Sequence, residues 1–328
     1  MTDSVKALRD NRLPQAIDLC DQATRMARGF ATNDTRLSRS QTLRAEIYMW
    51  EKNCDLAEKT FQLAIQSCEK AVGPNDPAMV HPLSSLANFY YFVLQRYDQV
   101  IVLFERILRI VESSPAHPYR DEIMWSRNLA SVYQTTGQFV RAEPLFQRAV
   151  ALAMTNDPEW LPHELLTAAE FYRAWHKCDQ AESLAKHALE LREKALANTN
   201  NVDARLDVAV ALDTLGAVYL AWPKPDQAAA CYQRSLDLVQ SFLSPNDADL
   251  APRLAGLAEA RHLQGKEDQA SPLYRRALVI VEANAGPDSP EAAALRERFA
   301  ALPSKNPDSI PVESDSSRLS QPPVAGLK

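Results

Sequence analysis

The chain has 328 residues, 46% hydrophobic and 24% charged, with a formal net charge of −6. Only eight residues are glycine and the closest two are nine apart, which excludes glycine-loop dinucleotide motifs, P-loops and G-x-S-x-G nucleophile elbows. An acidic balance without a concentrated basic stripe argues against nucleic-acid partners; the arginines at 9, 12, 25, 28, 36, 39 and 44 are interleaved with aspartates and read as a solvated face.

Five cysteines without framework spacing predict free thiols in a reducing compartment. No apolar window reaches membrane-spanning length, and the opening MTDSVKALRD has no signal-peptide core. A cytoplasmic protein without membrane contact is therefore expected.

Along the chain, a small residue, an apolar residue four later and a small or apolar residue three after that recur seven times. The sets are Ala16/Cys20/Ala23, Ala57/Phe61/Ala64, Val100/Phe104/Ile107, Ala142/Phe146/Ala149, Ala181/Ala185/Ala188, Ala228/Tyr232/Ser235 and Ala270/Tyr274/Ala277. Successive sets lie 41, 43, 42, 39, 47 and 42 residues apart. The i, i+4, i+7 spacing is one face of an α-helix, and the small residues admit a close neighbour.

A second helix precedes each stripe from the second onward. Tyr48, Tyr133, Tyr172, Tyr219 and Arg261 stand nine residues before the next stripe, each with a small residue three earlier (Ala45, Ala130, Ala169, Gly216, Ala258). Ala87 and Tyr90 match too, but Tyr90 to Val100 is ten residues, which predicts a one-residue insertion in the turn. Gly137 and Gly265 mark turn centres. GPNDP (Gly73–Pro77), SPAHP (Ser114–Pro118), TNDP (Thr155–Pro158), SPND (Ser244–Asp247) and GPDSP (Gly286–Pro290) punctuate the ends of the second helices. The long NTNNVDAR linker and the Trp222-Pro223-Lys224-Pro225 turn set unit five apart and predict a bend or shift there.

The A-x-x-Y…G-x-[FY]-x-x-A-E-x-x-[FY]-x-x-A pattern, best seen in LASVYQTTGQFVRAEPLFQRAV (Leu129–Val150), resembles tetratricopeptide repeats of the kinesin-light-chain type. The resemblance implies an all-α fold, a right-handed α-solenoid of stacked helix-turn-helix repeats over residues 1–302. A truncated opening unit, about six full units and a capping helix at Glu291–Leu302 are expected. One helix pair cannot bury its stripe alone, so stacking supplies the core. From 303 to 328 the chain is rich in Ser and Pro and reads as a disordered tail.

No catalytic constellation is legible. The six histidines form no i, i+4 pair, and Cys20, Cys54 and Cys178 occupy helix or turn slots as small hydrophobes. The expectation is therefore no enzyme activity, no metal and no cofactor.

The resemblance implies a groove lined by the first helices, with binding residues two and six before the Tyr slot and one and two after it. The candidates are Trp50, Asn88, Tyr91, Phe92, Arg127, Gln134 and Arg173, with Asn128 resembling an Asn by which such repeats hold a peptide backbone. Trp50, Tyr91 and Phe92 followed by Arg127 and Arg173 suit a segment with an apolar and an acidic portion. Alternatively, Tyr91 and Phe92 belong to the core and both arginines are solvated. The expected job is a protein-interaction scaffold or adaptor. The alternative is a regulatory sensor that changes pitch on binding a small peptide or metabolite.

Overall fold

The structure, a computed structural model, describes residues 13–27, 29, 34–114, 118–199 and 201–302. The Ser/Pro-rich tail, the first twelve residues and His117 of the second linker lie outside the described residues. Among those described there are fourteen α-helices and no strand.

They fall into two compact units, Met1–Lys224 and Pro225–Lys328. The boundary lies in the Trp222–Pro225 turn that the sequence singled out.

The first unit contains α1 (Leu13–Ala27), α2 (Arg36–Trp50), α3 (Cys54–Val72), α4 (Val80–Phe89), α5 (Tyr97–Ser113), α6 (Tyr119–Thr135), α7 (Phe139–Asn156), α8 (Leu161–Ala174), α9 (Cys178–Thr199) and α10 (Val202–Ala221). Its hairpins are α2/α3, α4/α5, α6/α7 and α8/α9, and each second helix packs on the first helix of the next pair. The second unit contains α11 (Pro225–Val239), the hairpin α12 (Leu250–Leu263)/α13 (Glu267–Ala285), and α14 (Pro290–Ala300), which packs on α13.

The stripes are what the hairpins bury. Every stripe residue is buried except Ala23, which is half-buried in α1. The small residues before each Tyr slot (Ala45, Ala87, Ala130, Ala169, Gly216, Ala258) are buried too, where two helix backbones approach. Gly256 is close-packed as well: a Cβ there would lie 2.4 Å from the Tyr232 ring.

Four of the turns share one construction. The residue four after the Tyr slot takes the left-handed conformation: Lys52 (φ 59°), Gly137 (74°), His176 (58°) and Gly265 (72°). The next amide then donates back to the Tyr-slot carbonyl, as in Asn53 N to Tyr48 O (2.9 Å), Gln138 N to Tyr133 O (2.7 Å) and Lys266 N to Arg261 O (2.9 Å). These are the six-to-one bonds of a Schellman turn.

The expected insertion in the second turn is placed elsewhere. Tyr90–Leu94 is a single π-helical turn at the end of the first helix, so the extra residue widens the helix. The turn keeps its form, with Gln95 left-handed (φ 54°) and Arg96 N bonding to Tyr90 O at 3.0 Å.

Punctuation follows the sequence closely. Gly73 and Gly286 end α3 and α13 at φ 93° and 92°. Asn53, Asn201 and Ser289 cap α3, α10 and α14 with their side-chain oxygens.

Candidate interaction face on the first helices of the repeats

The Tyr slots form a polar ladder on the first unit. From Tyr90 onward the hydroxyl donates to a Glu on the second helix of the preceding hairpin: Tyr90 to Glu58 (2.8 Å), Tyr133 to Glu105 (2.5 Å), Tyr172 to Glu143 (3.1 Å) and Tyr219 to Glu182 (2.9 Å). A basic residue from the same hairpin pairs with that Glu: Arg96, Arg141, Lys177 and Lys224 respectively. Lys177 and Lys224 also lie 3.3 Å over the rings of Trp175 and Trp222, so ammonium, ring and carboxylate hold each turn to its predecessor. Burial and the Glu105 carboxylate push the Tyr133 hydroxyl up to about 12.

The predicted site residues all belong to the first unit. Trp50, the last residue of α2, is 66% exposed, and Phe92, in the π-turn, is 74% exposed. The two hold the same repeat slot, and α2 contacts α4 directly. Tyr91 is half-buried, edge-on to Phe92 at 4.9 Å and to Tyr97 at 5.5 Å between ring centroids. Asn88 is exposed one turn before Phe92, while Asn128 and Gln134 are half-buried on α6.

The two arginines are engaged within the chain. Arg173 Nη2 lies 2.6 Å from Glu170 Oε2, one turn back on α8. Arg127 Nη1 lies 3.1 Å from Glu164 Oε1 and 3.0 Å from His163 Nε2. Glu164 also accepts from Trp160 Nε1 at 3.1 Å, and its Oε2 is buried without a hydrogen-bond partner. Burial raises its carboxyl above the usual range, and Arg127 opposes that shift. Burial, and then Arg127, lower the His163 imidazole, which keeps the ring neutral and its Nε2 an acceptor.

Sequence reasoning missed the buried carboxylates. Glu164 lies eight residues before Tyr172, where the other units bury Ser40, Pro82, Trp125, Ala211 and Arg253. Glu122 lies eleven before Tyr133, where they bury Met79, Leu161, Val208 and Leu250, and it pairs with Arg148. Aligning the repeats slot by slot carries that signal. Glu46, on α2, is a half-buried groove-slot carboxylate raised by burial, with no charged group of the described residues acting on it.

Among the described residues there is no cluster of three or more His, Cys, Asp or Glu suited to a metal. No helix among them is long and apolar enough to cross a membrane. Cys20, Cys68 and Cys178 are buried free thiols, Cys54 is half-buried and free, and Cys231 is buried; burial pushes the Cys20 thiol up to about 11.

A family model described as tetratricopeptide repeat matches residues 81–155 and 207–283. Comparison with curated proteins gives no match. Among solved structures, BtubC (BKLC) from P. vanneervenii is similar at 19% identity and a TM-score of 0.54, covering 76% of this chain and 92% of that one. A signal transduction ATPase with numerous domains and a tetratricopeptide repeat sensor, from Pyrococcus horikoshii, is similar at 14% identity and a TM-score of 0.61. That likeness covers 91% of this chain, which spans only 43% of the ATPase. Aspartyl phosphate phosphatase F from Bacillus subtilis is similar at 17% identity and a TM-score of 0.50, over 88% of this chain and 70% of that one. At these identities the likeness concerns the fold. The buried stripes at a period of about 42 residues, the Schellman turns and the family match together identify residues 81–155 and 207–283 as tetratricopeptide repeats within an all-α solenoid.

Proposed function

We propose that the chain is a non-catalytic, cytoplasmic scaffold that receives a peptide or helix of a partner protein along the first helices of its repeats. The observation that carries this reading is the pair Trp50 and Phe92, exposed aromatics in one slot of adjacent repeats. Exposed aromatics are the usual anchors of a protein interface.

Arg127 and Arg173 already hold carboxylates, so an acidic segment is not what this face selects. The partner segment supplies apolar residues to Trp50, Tyr91 and Phe92, and polar main-chain groups to Asn88, Asn128 and Gln134. Acidic overall charge disfavours nucleic acid in that role.

The test is quantitative partner capture from native lysate with wild type and a Trp50→Ala/Phe92→Ala variant. Neither side chain supports the core, so helicity and thermal midpoint should stay unchanged. The reading expects one or a few proteins to be lost with the variant, with binding of the purified partner weakened roughly tenfold or more. Identical capture by both proteins refutes it.

A second reading is a regulatory sensor whose superhelix changes pitch on binding a small peptide or metabolite. It is favoured by the unit boundary at Lys224–Pro225, inside the atypical turn. Solution scattering with and without a small peptide or metabolite ligand distinguishes the two: an unchanged envelope supports the scaffold, a changed pitch the sensor.

A further inference from the structure

The interface between the third and fourth hairpins of the first unit departs from its neighbours in a way that opens a cavity. In the hairpins before it, an Arg on one second helix reaches a Glu on the previous one: Arg106 to Glu69 (2.6 Å) and Arg148 to Glu112 (2.7 Å). In the next step the same two slots hold His187 and Met154, so the Glu position has become an apolar thioether. Three residues before Met154 stands Ala151, where the corresponding slots hold Gln66, Arg109 and Glu190.

The floor changes as well. Four residues before the Tyr slot, four repeats bury Leu86, Leu129, Leu215 and Leu257 and the first carries Arg44, whereas α8 has Ala168. Truncation of an otherwise repeated Leu leaves space that close packing elsewhere fills.

The three replacements line one pocket of about 400 Å³ between α7 and α9, with α8 as its floor. Ala168 and Tyr172 are the buried base; Val150, Ala151, Met154 and Leu184 form the walls. Gln147 and Gln180 stand exposed at the mouth, and Gln147 Nε2 reaches the Tyr172 hydroxyl at 3.1 Å. No lining side chain is an acid or a base of the Asp, Glu, Lys, Arg or His kind. The volume lies within the range of small-molecule sites, and apolar walls with a few polar groups at one end are their usual composition.

From these departures we infer that the pocket between α7 and α9 is a binding site for a neutral, largely apolar small molecule with one hydrogen-bonding end. The apolar body sits over Ala168 between Met154 and Leu184, and the polar end meets the Gln147 and Gln180 amides. A charged ligand finds no counter-ion in the lining. The site lies among the second helices and is separate from the Trp50–Phe92 face.

The probe for the test is N-phenyl-1-naphthylamine, a neutral aromatic amine whose fluorescence rises on leaving water, titrated into the full chain. Wild type should bind it saturably, one per chain. Ala168→Leu restores the residue that four other repeats carry, so it should keep or raise the thermal midpoint while weakening the probe roughly tenfold or more. Ala151→Leu, on an exposed wall position, should weaken it similarly and decides the matter if the first variant fails to fold. Trp50→Ala should bind as wild type. Non-saturable binding, equal binding by the wall and floor variants, or loss of binding in Trp50→Ala each overturn the assignment, and none of these results bears on whether the groove takes a protein.

Discussion

Arg127 of α6 reaches across to α8, where its Nη1 lies 3.1 Å from Glu164 Oε1, and it is the cation that a fully buried carboxylate depends on. The Glu164 side chain is 1% exposed, against 28% for Arg127. Removing one partner of such a pair leaves an uncompensated buried charge. Arg127→Ala is therefore expected to cost about 3 kcal/mol at neutral pH. Urea unfolding of the variant measures this; a midpoint equal to wild type would mean that solvent reaches Glu164. Arg127 is consequently a poor residue for probing partner binding, because its loss acts on the fold first.

The same carboxyl gives the protein a pH dependence of known sign. Its folded-state pKa is raised above the ordinary value of 4.5, first by burial. The folded state then holds more protons than the unfolded one just above that value, so this group's contribution is present below it and is lost as pH rises. Glu164→Gln should remove that slope and be at least as stable as wild type at pH 8. Thermal midpoints taken from pH 4 to pH 8 test it, and an unaltered slope would assign the effect to other groups.

At the alkaline end the ladder tyrosines act. Tyr133 is held up to about 12 against an ordinary value of 10. Raised pKa means stability present below 10 and lost as pH climbs through the folded value. A spectrophotometric titration should show Tyr133→Phe lacking a late-ionising hydroxyl. The variant should lose about 1 kcal/mol at neutral pH, since Glu105 keeps Arg141.

The left-handed turn positions differ in residue and not in geometry. His176 adopts φ 58° where Gly137 and Gly265 adopt 74° and 72°. His176→Gly should stabilise by about 1 kcal/mol and Gly137→Ala should destabilise by a similar amount, because a Cβ strains this region. Opposite shifts in thermal midpoint check the pair.

In the second unit, Gly256→Ala would place a methyl 2.4 Å from the Tyr232 ring. Displacing a buried aromatic should cost about 2 kcal/mol. Hydrogen exchange should show the loss across α11, α12 and α13; an undisturbed exchange pattern would show that the ring swings aside freely.

The sequence by itself determined the helix pairs, their stripes and their punctuation. These are local matters, in which a period of 3.6, small residues at close contacts and Gly-Pro breaks act within a few residues of chain. It also put Trp50 and Phe92 in one repeat slot, because repetition maps one repeat's geometry onto the next, but it left Phe92 open between surface and core; the fold exposes it. Only the tertiary structure decided that Tyr90–Leu94 absorbs the inserted residue as a π-turn, since the next turn's hydrogen bonds select where the extra residue goes. It alone decided that Arg127 belongs to Glu164 and Arg173 to Glu170, because a charge's partner is set by distance through space. The space left by Ala168 became visible only there as well: a missing side chain has a volume only once its neighbours are in place.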